Sequence, residues 1–290
     1  MPTLVGLCHD DNWRDITLEE LRMSFRSLLS RFTLDPAAFR TMMRDTNCII
    51  SGSTALHFLL REPSSWTPGD TDILVAPAYF DTTLRFILAL PGAAITYDSQ
   101  NVPPGVYHSI NATLKRLVKV TTNMTTFDVM MSKERSPYHP VVHYWTTLVM
   151  NALTADFFVC AYPTLTFSHR GAMKKYFPPP SPFEKYIERG FTFFAPGKHL
   201  DGSLSCTTSI ACPRRQRYFG DDYCLVFPFV SAAHVDKLGT ELADSNMTSA
   251  WQLGGSPCNN IDCFLATPRI AVTMIVNGGW QAGLQTVEEA

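Results

Sequence analysis

The sequence predicts an α/β protein, more closely an α+β arrangement in which helices flank a mixed sheet and a Cys-bearing C-terminal part follows. Three observations carry that expectation. Apolar residues recur at helical spacing over 17–31, with Leu18, Leu21, Phe25, Leu28, Leu29 and Phe32 on one stripe. Between 47 and 131 the runs alternate as strand, helix, strand, helix, strand, strand. A chain of 290 residues with 46% hydrophobic and 17% charged side chains also has enough apolar surface for a substantial core.

Each element has its own signal. Thr17-Leu-Glu-Glu20 reads as a capping box at the head of the first helix. Asp35-Pro36 supplies an N-cap and an N1 proline for a second helix, AAFRTMMRD. Asn47 to Ser51 is short and apolar enough for a buried strand, and Ser53 to Arg61 continues as a helix with Ala55, Leu56, Leu59 and Leu60 inward. The turn-rich stretch REPSSWTPG leads into a strand at Thr71 to Ala76, after which DTTLRFILAL is amphipathic. Thr113 to Thr121 and Thr125 to Met131 form a strand pair about the turn at Thr122-Asn123. The pattern from Tyr138 to about Ala155 reads as helical, PPPSP at 178–182 as a linker, and FEKYIERGF as a short helix. The organisation expected is N-terminal helices over 1–46, a core over 47–135, a helical segment with the proline-rich linker over 136–194, and a Cys-containing region over 195–290.

Bulk properties narrow the functional classes. A net charge of −2 advertises no broad polyanion-binding face, so nucleic acid is possible as a partner but not indicated by charge. The N-terminus lacks a basic region followed by an apolar core, and the longest uncharged run, around 141–155, is too short and polar to span a bilayer. An intracellular protein, cytoplasmic or nuclear, with no membrane partner is the expectation, and its eight cysteines then read as thiols or metal ligands before disulfides.

Chemistry concentrates in CIISGSTALHFLL and the later DTDILV. A Gly52-Ser53 turn from strand into helix presents backbone N–H groups at a helix N-terminus, with no Cβ at Gly52 to block approach. Asp70 and Asp72 are two residues apart, so on a strand both carboxylates project to one face. Such a pair repels itself unless a cation intervenes, and hard oxygen ligands suit Mg²⁺ or Mn²⁺. Asp128, set between Phe127 and Val129 in an apolar strand, is a third acid that needs a strong reason to be there. Two metal ions roughly 3.5–4 Å apart could hold a nucleoside triphosphate for in-line displacement.

In the order Ile50-Ser51-Gly52-Ser53, helix, Asp70-Thr71-Asp72-Ile73 and then Asp128, the chain resembles the DNA-polymerase-β-like nucleotidyltransferase superfamily. TTLVMNALTADFFVCAYPTLTF and KYIERGF further resemble a divergent fungal branch of it. The resemblance implies a mixed-sheet nucleotidyltransferase core and transfer of a nucleoside monophosphate from a triphosphate such as ATP to a hydroxyl acceptor. It implies Gly52 and Ser53 on the phosphates, Asp70, Asp72 and Asp128 as catalytic metal ligands, and basic helical residues, here Lys185 and Arg189, over the nucleotide. The alternatives are a catalytically inactive relative that binds nucleotide or protein, and a scaffold in which the acids are caps.

Weaker signals remain. Cys206, Cys212 and Cys224, with Cys258 and Cys263, could hold a structural Zn²⁺, although inert buried thiols explain them as well. His139 and His143 have the spacing of a zinc pair, but Pro140 favours a capping or surface role. Lys115, Arg116, Lys119, Lys174 and Lys175 are further cations for triphosphate charge, and Tyr176, Phe177, Tyr186 and Phe191 could stack a base or pack a core.

Overall fold

The computed structural model describes residues 11–61, 66–101, 113–174, 180–194, 212, 215–229, 249–253, 275–276 and 279–280. Helix α1 (Asp11–Leu29) leads into α2 (Pro36–Thr46), then strand β1 (Ile49–Ser51) runs straight into α3 (Gly52–Leu60). There follow β2 (Thr71–Val75), α4 (Phe80–Leu88), β3 (Ala94–Asp98), β4 (Leu114–Thr121), β5 (Thr126–Ser132), β6 (Asn151–Leu153) and β7 (Phe157–Cys160). A short α5 (Pro163–Thr166), β8 (Arg170–Ala172), α6 (Pro180–Glu188), β9 (Thr192–Phe194), β10 (Arg217–Tyr218), β11 (Leu225–Pro228) and β12 (Ala250–Trp251) complete the main body.

One 8-stranded sheet organises these elements in the order β11-β7-β6-β1-β2-β5-β4-β3. It is mixed: β2 and β5 pair in parallel, and their neighbours pair antiparallel. Register fixes which residues share a face, because side chains alternate along each strand. Ile50, Ile73, Val129 and Val118 align as one row on the face covered by the helices, within a core that includes Phe25, Phe39, Phe58 and Phe80. Burying each such large apolar side chain contributes on the order of 1.5–3 kcal/mol. The opposite face carries Ile49 and Leu74, packed with Tyr138, Val141, Tyr162 and Trp251.

Local signals explain most boundaries. Asp35 accepts a 2.9 Å hydrogen bond from the Ala38 N–H and Pro36 opens α2, the cap the sequence indicates. The capping box expected at Thr17 is not used: α1 begins at Asp11, and Thr17 is a buried residue inside it. The stretch 138–155 is not a helix. It forms two short 3₁₀ turns, Val141–His143 and Thr147–Val149, followed by β6 and then β7. Buried residues there follow no single helical stripe, because Val141, Val142 and Met150 join one core cluster, Leu148 and Val149 a second, and Leu153 and Phe158 a third. The proline run is also only in part a linker, since α6 starts at Pro180.

The segment after 195 joins the sheet rather than standing wholly apart, because β11 pairs with β7 from Leu225↔Cys160 to Pro228↔Phe157. Phe229 then stacks on Phe25 at 4.7 Å, and its carbonyl accepts a 2.6 Å hydrogen bond from Arg22 Nε. Among the described residues no helix is long and apolar enough to cross a membrane.

Candidate active site

The polar residues of interest lie two residues along the strands from the apolar row Ile49–Leu74–Met130–Leu117, and so on the same face. Register places Ser51 opposite Asp72, Asp72 beside Asp128, and Asp128 opposite Lys119. Four strands thus contribute one transverse row, Ser51–Asp72–Asp128–Lys119, on a single face of the sheet. Asp70 sits just ahead of β2, with its carbonyl held by Thr54 Oγ1 at 3.0 Å, and its charge acts on Asp72, Asp128, Lys119 and Arg189. The structure therefore brings Asp70, Asp72 and Asp128 into one neighbourhood.

Gly52 closes the floor of this neighbourhood. Its φ is +61°, and an added Cβ would overlap Asp72 Oδ2 and stand 2.9 Å from Asp72 Cγ. The glycine is required twice over, for its left-handed backbone and for the close approach of the carboxylate. Ser51 precedes α3 but makes no side-chain cap; its hydroxyl donates instead to the Asn151 carbonyl at 2.6 Å. The first N–H groups of α3, from Gly52 and Ser53, accordingly have no side-chain cap.

Electrostatics set this row apart. Desolvation, with Asp70 and Asp128 close by, pushes the Asp72 carboxyl up to about 8. Burial also raises the Asp128 carboxyl, even though Lys119 Nζ donates to its Oδ2 at 2.6 Å. Burial alone would lower the Lys119 ammonium, but Asp128, Asp70 and Asp72 together outweigh it and hold the group above its ordinary range. Asp128 Oδ1, the Tyr144 hydroxyl, Asn151 Oδ1 and Arg189 Nη1 are buried atoms without a hydrogen-bond partner in this region. Tyr144 lies near Asp72, Ser51, Tyr186 and Asp128, and burial raises its phenol well above the usual range. Buried polar atoms without a protein partner are rare in folded proteins.

Helix α6 supplies the basic side. Lys185 acts on Asp72 and Arg189 on Asp70 through space. The Arg189 guanidinium stands 4.1 Å from the centre of the Trp66 ring and 5.3 Å from that of Tyr186. Trp66, whose ring also meets His57 edge-on at 5.1 Å, was not indicated by the sequence. Nor were Tyr144 and Asn151, which lie in a segment whose periodicity suggests a helix.

No family model, curated protein or solved structure matches the chain. Similarity to known proteins therefore adds nothing to the geometry.

The carboxylates form a hard-oxygen donor set of the kind Mg²⁺ or Mn²⁺ takes, and Asp128 Oδ1 has no protein partner. In chemistry the donor set suits such an ion; in placement it is not assembled into a metal site. Among the described residues no group of three or more His, Cys, Asp or Glu stands ready around one point, and Lys119 holds the second oxygen of Asp128.

The remaining sequence candidates separate from this row. Arg116 is committed to Asp98, with Nη2–Oδ2 at 2.6 Å, and Lys115 is exposed. Lys174 donates to the Val142 carbonyl. Tyr186 and Phe191 pack with Leu56, Leu148 and Val149, which supports the packing alternative for them. His139 and His143 meet ring to ring at 4.8 Å around the 3₁₀ turn, not on a helix. Of the zinc candidates, Cys212 is buried and Cys224 lies 3.5 Å from the Tyr218 carbonyl. Cys206, Cys258, Cys263, Lys175, Tyr176 and Phe177 lie outside the described residues.

Proposed function

We propose that this chain is a nucleotidyltransferase of the DNA-polymerase-β-like kind, moving a nucleoside monophosphate from a nucleoside triphosphate to a hydroxyl acceptor with Mg²⁺ or Mn²⁺ as cofactor. The observation that carries the reading is the alignment of Asp72 and Asp128 in register on parallel strands beside the left-handed Gly52, with Asp70 acting on both. Asp70, Asp72 and Asp128 would hold the cation. When bound, that ion neutralises phosphate charge and orients the reacting oxygens.

The chain's own groups have definable parts in this scheme. Gly52 and Ser53 offer uncapped N–H groups at the start of α3, which favour a phosphate through both hydrogen bonds and the helix dipole. Lys185 and Arg189, which act on Asp72 and Asp70, would offset the charge of the polyphosphate tail. Asp128 Oδ1 is buried and unpaired, so it can accept the proton of an acceptor hydroxyl as that oxygen attacks phosphorus. The raised carboxyl of Asp128 makes it a better proton acceptor than an ordinary surface aspartate.

A second reading is favoured by a specific contact. Lys119 already neutralises Asp128 at 2.6 Å, an arrangement that suits a silent relative binding nucleotide without turning it over. Incubating the protein with an α-labelled nucleoside triphosphate, Mn²⁺ and a mixture of hydroxyl acceptors separates the two. Label transfer that disappears in Asp128→Asn supports the enzyme; nucleotide binding with no transfer supports the silent module.

A further inference from the structure

Lys119 is the cation that the sheet itself contributes to the acid row, and strand register places it there. Its backbone pairs with Asp128 on β5, and on its other side with Tyr97 on β3. The ammonium bonds Asp128 Oδ2 at 2.6 Å while its side chain keeps 34% of its surface exposed, so it can leave toward solvent without unfolding anything. Asp128 cannot follow, because its side chain is 12% exposed and its strand lies inside the sheet between β2 and β4. Asp70 and Asp72 also attract the same ammonium.

We infer that Lys119 is a tethered cation that occupies the third carboxylate in the metal-free protein and must be displaced from Asp128 Oδ2 before a divalent ion can be held by the whole acid row. This rests on the reading of that row as a divalent-cation site and adds its regulation: the lysine sets how much free Mg²⁺ or Mn²⁺ the protein needs. In the metal-free state its charge offsets that of Asp128, with Asp70 and Asp72 adding to the attraction. In the loaded state it swings away, and its charge opposes the ion that replaces it. Removing the lysine's charge therefore removes both a stabiliser of the empty site and a competitor for the filled one. An electrostatic interaction between unit charges near 4 Å is strong at a protein's effective dielectric, so the effect on ion affinity is about tenfold or more.

The test titrates Mn²⁺ into the full chain and follows the free ion by electron paramagnetic resonance, for wild type, Lys119→Met, Lys119→Arg and Asp72→Asn. The inference expects Lys119→Met to bind Mn²⁺ about tenfold more tightly than wild type or better, and Lys119→Arg to bind like wild type. In parallel, Lys119→Met in chelator melts below wild type and gains more from added Mn²⁺. Binding by wild type that is lost in Asp72→Asn yet not tightened in Lys119→Met overturns the role of Lys119 alone. No Mn²⁺ binding by either wild type or Lys119→Met overturns the acid-row reading and this inference together. Should Lys119→Met not fold, Lys119→Gln takes its place with the same expectations.

Discussion

Replacing Gly52 by alanine tests the geometry on which the site depends. At φ +61° an L side chain pays the left-handed penalty, roughly 1–2 kcal/mol. The new methyl would also overlap Asp72 Oδ2, so that carboxylate must leave its rotamer at a cost of about 0.5–1.5 kcal/mol. Together the change destabilises the metal-free protein by about 2–3 kcal/mol, or a drop in melting temperature of about 5–10 °C for a body of this size. Thermal unfolding of Gly52→Ala, Asp72→Ala and the double variant apportions the two parts. Asp72→Ala in the Gly52→Ala background relieves the overlap and leaves the backbone penalty, giving a coupling energy of about 1 kcal/mol. Gly52→Ala melting within about a degree of wild type would show that Asp72 does not rest on this backbone, and the site as described would fail.

The remaining predictions concern charge. With its carboxyl moved from 3.8 to about 8, Asp72 keeps its proton in the folded state over a range where the unfolded chain has lost it. The folded state binds more protons there, so metal-free stability falls as pH rises from about 4 to about 8, by a few kcal/mol at most. Asp72→Asn flattens that slope, as urea midpoints at pH 5 and 8 would reveal; an unchanged slope refutes the assignment. Elsewhere, Arg217 and Asp221 form an ion pair that is 1% and 8% exposed, with Arg217 Nη2 also 2.7 Å from the Ala161 carbonyl. Arg217→Met strands the Asp221 charge and costs about 3–5 kcal/mol, whereas a double change to apolar residues recovers most of it in chemical denaturation.

How far the sequence speaks for the structure differs by element. Apolar patterning and the turn residues between the runs place β1, α3, β2, α4, β4 and β5 within a residue or two. The edge strand β3 escaped notice because Ala94, Ile95 and Thr96 are all exposed and leave no alternation to read. The stretch 138–155 reads as helical for another reason: most of it is buried, polar Thr146, Thr147 and Asn151 included, and short buried runs do not tell strand from helix. At the site, the acids and Gly52 were legible as residue types in a suggestive order. Their partners were not. Tyr144, Asn151 and Trp66 arrive from segments distant in the chain, and the pairing of Lys119 with Asp128 follows from a register that the turn at 122–125 sets.

The central claim is that the acid row and the backbone at Gly52 together bind a nucleoside triphosphate through a divalent ion. Thermal unfolding of wild type and of Asp70→Asn/Asp72→Asn, each with and without ATP and Mg²⁺, tests it most directly, because a ligand bound at 100 times its dissociation constant stabilises the folded state by about 2.7 kcal/mol. The account predicts a rise of several degrees in wild type that needs both ATP and Mg²⁺ and vanishes in the double variant. A wild-type melting temperature unmoved by saturating ATP and Mg²⁺, or an equal rise in the double variant, would contradict it.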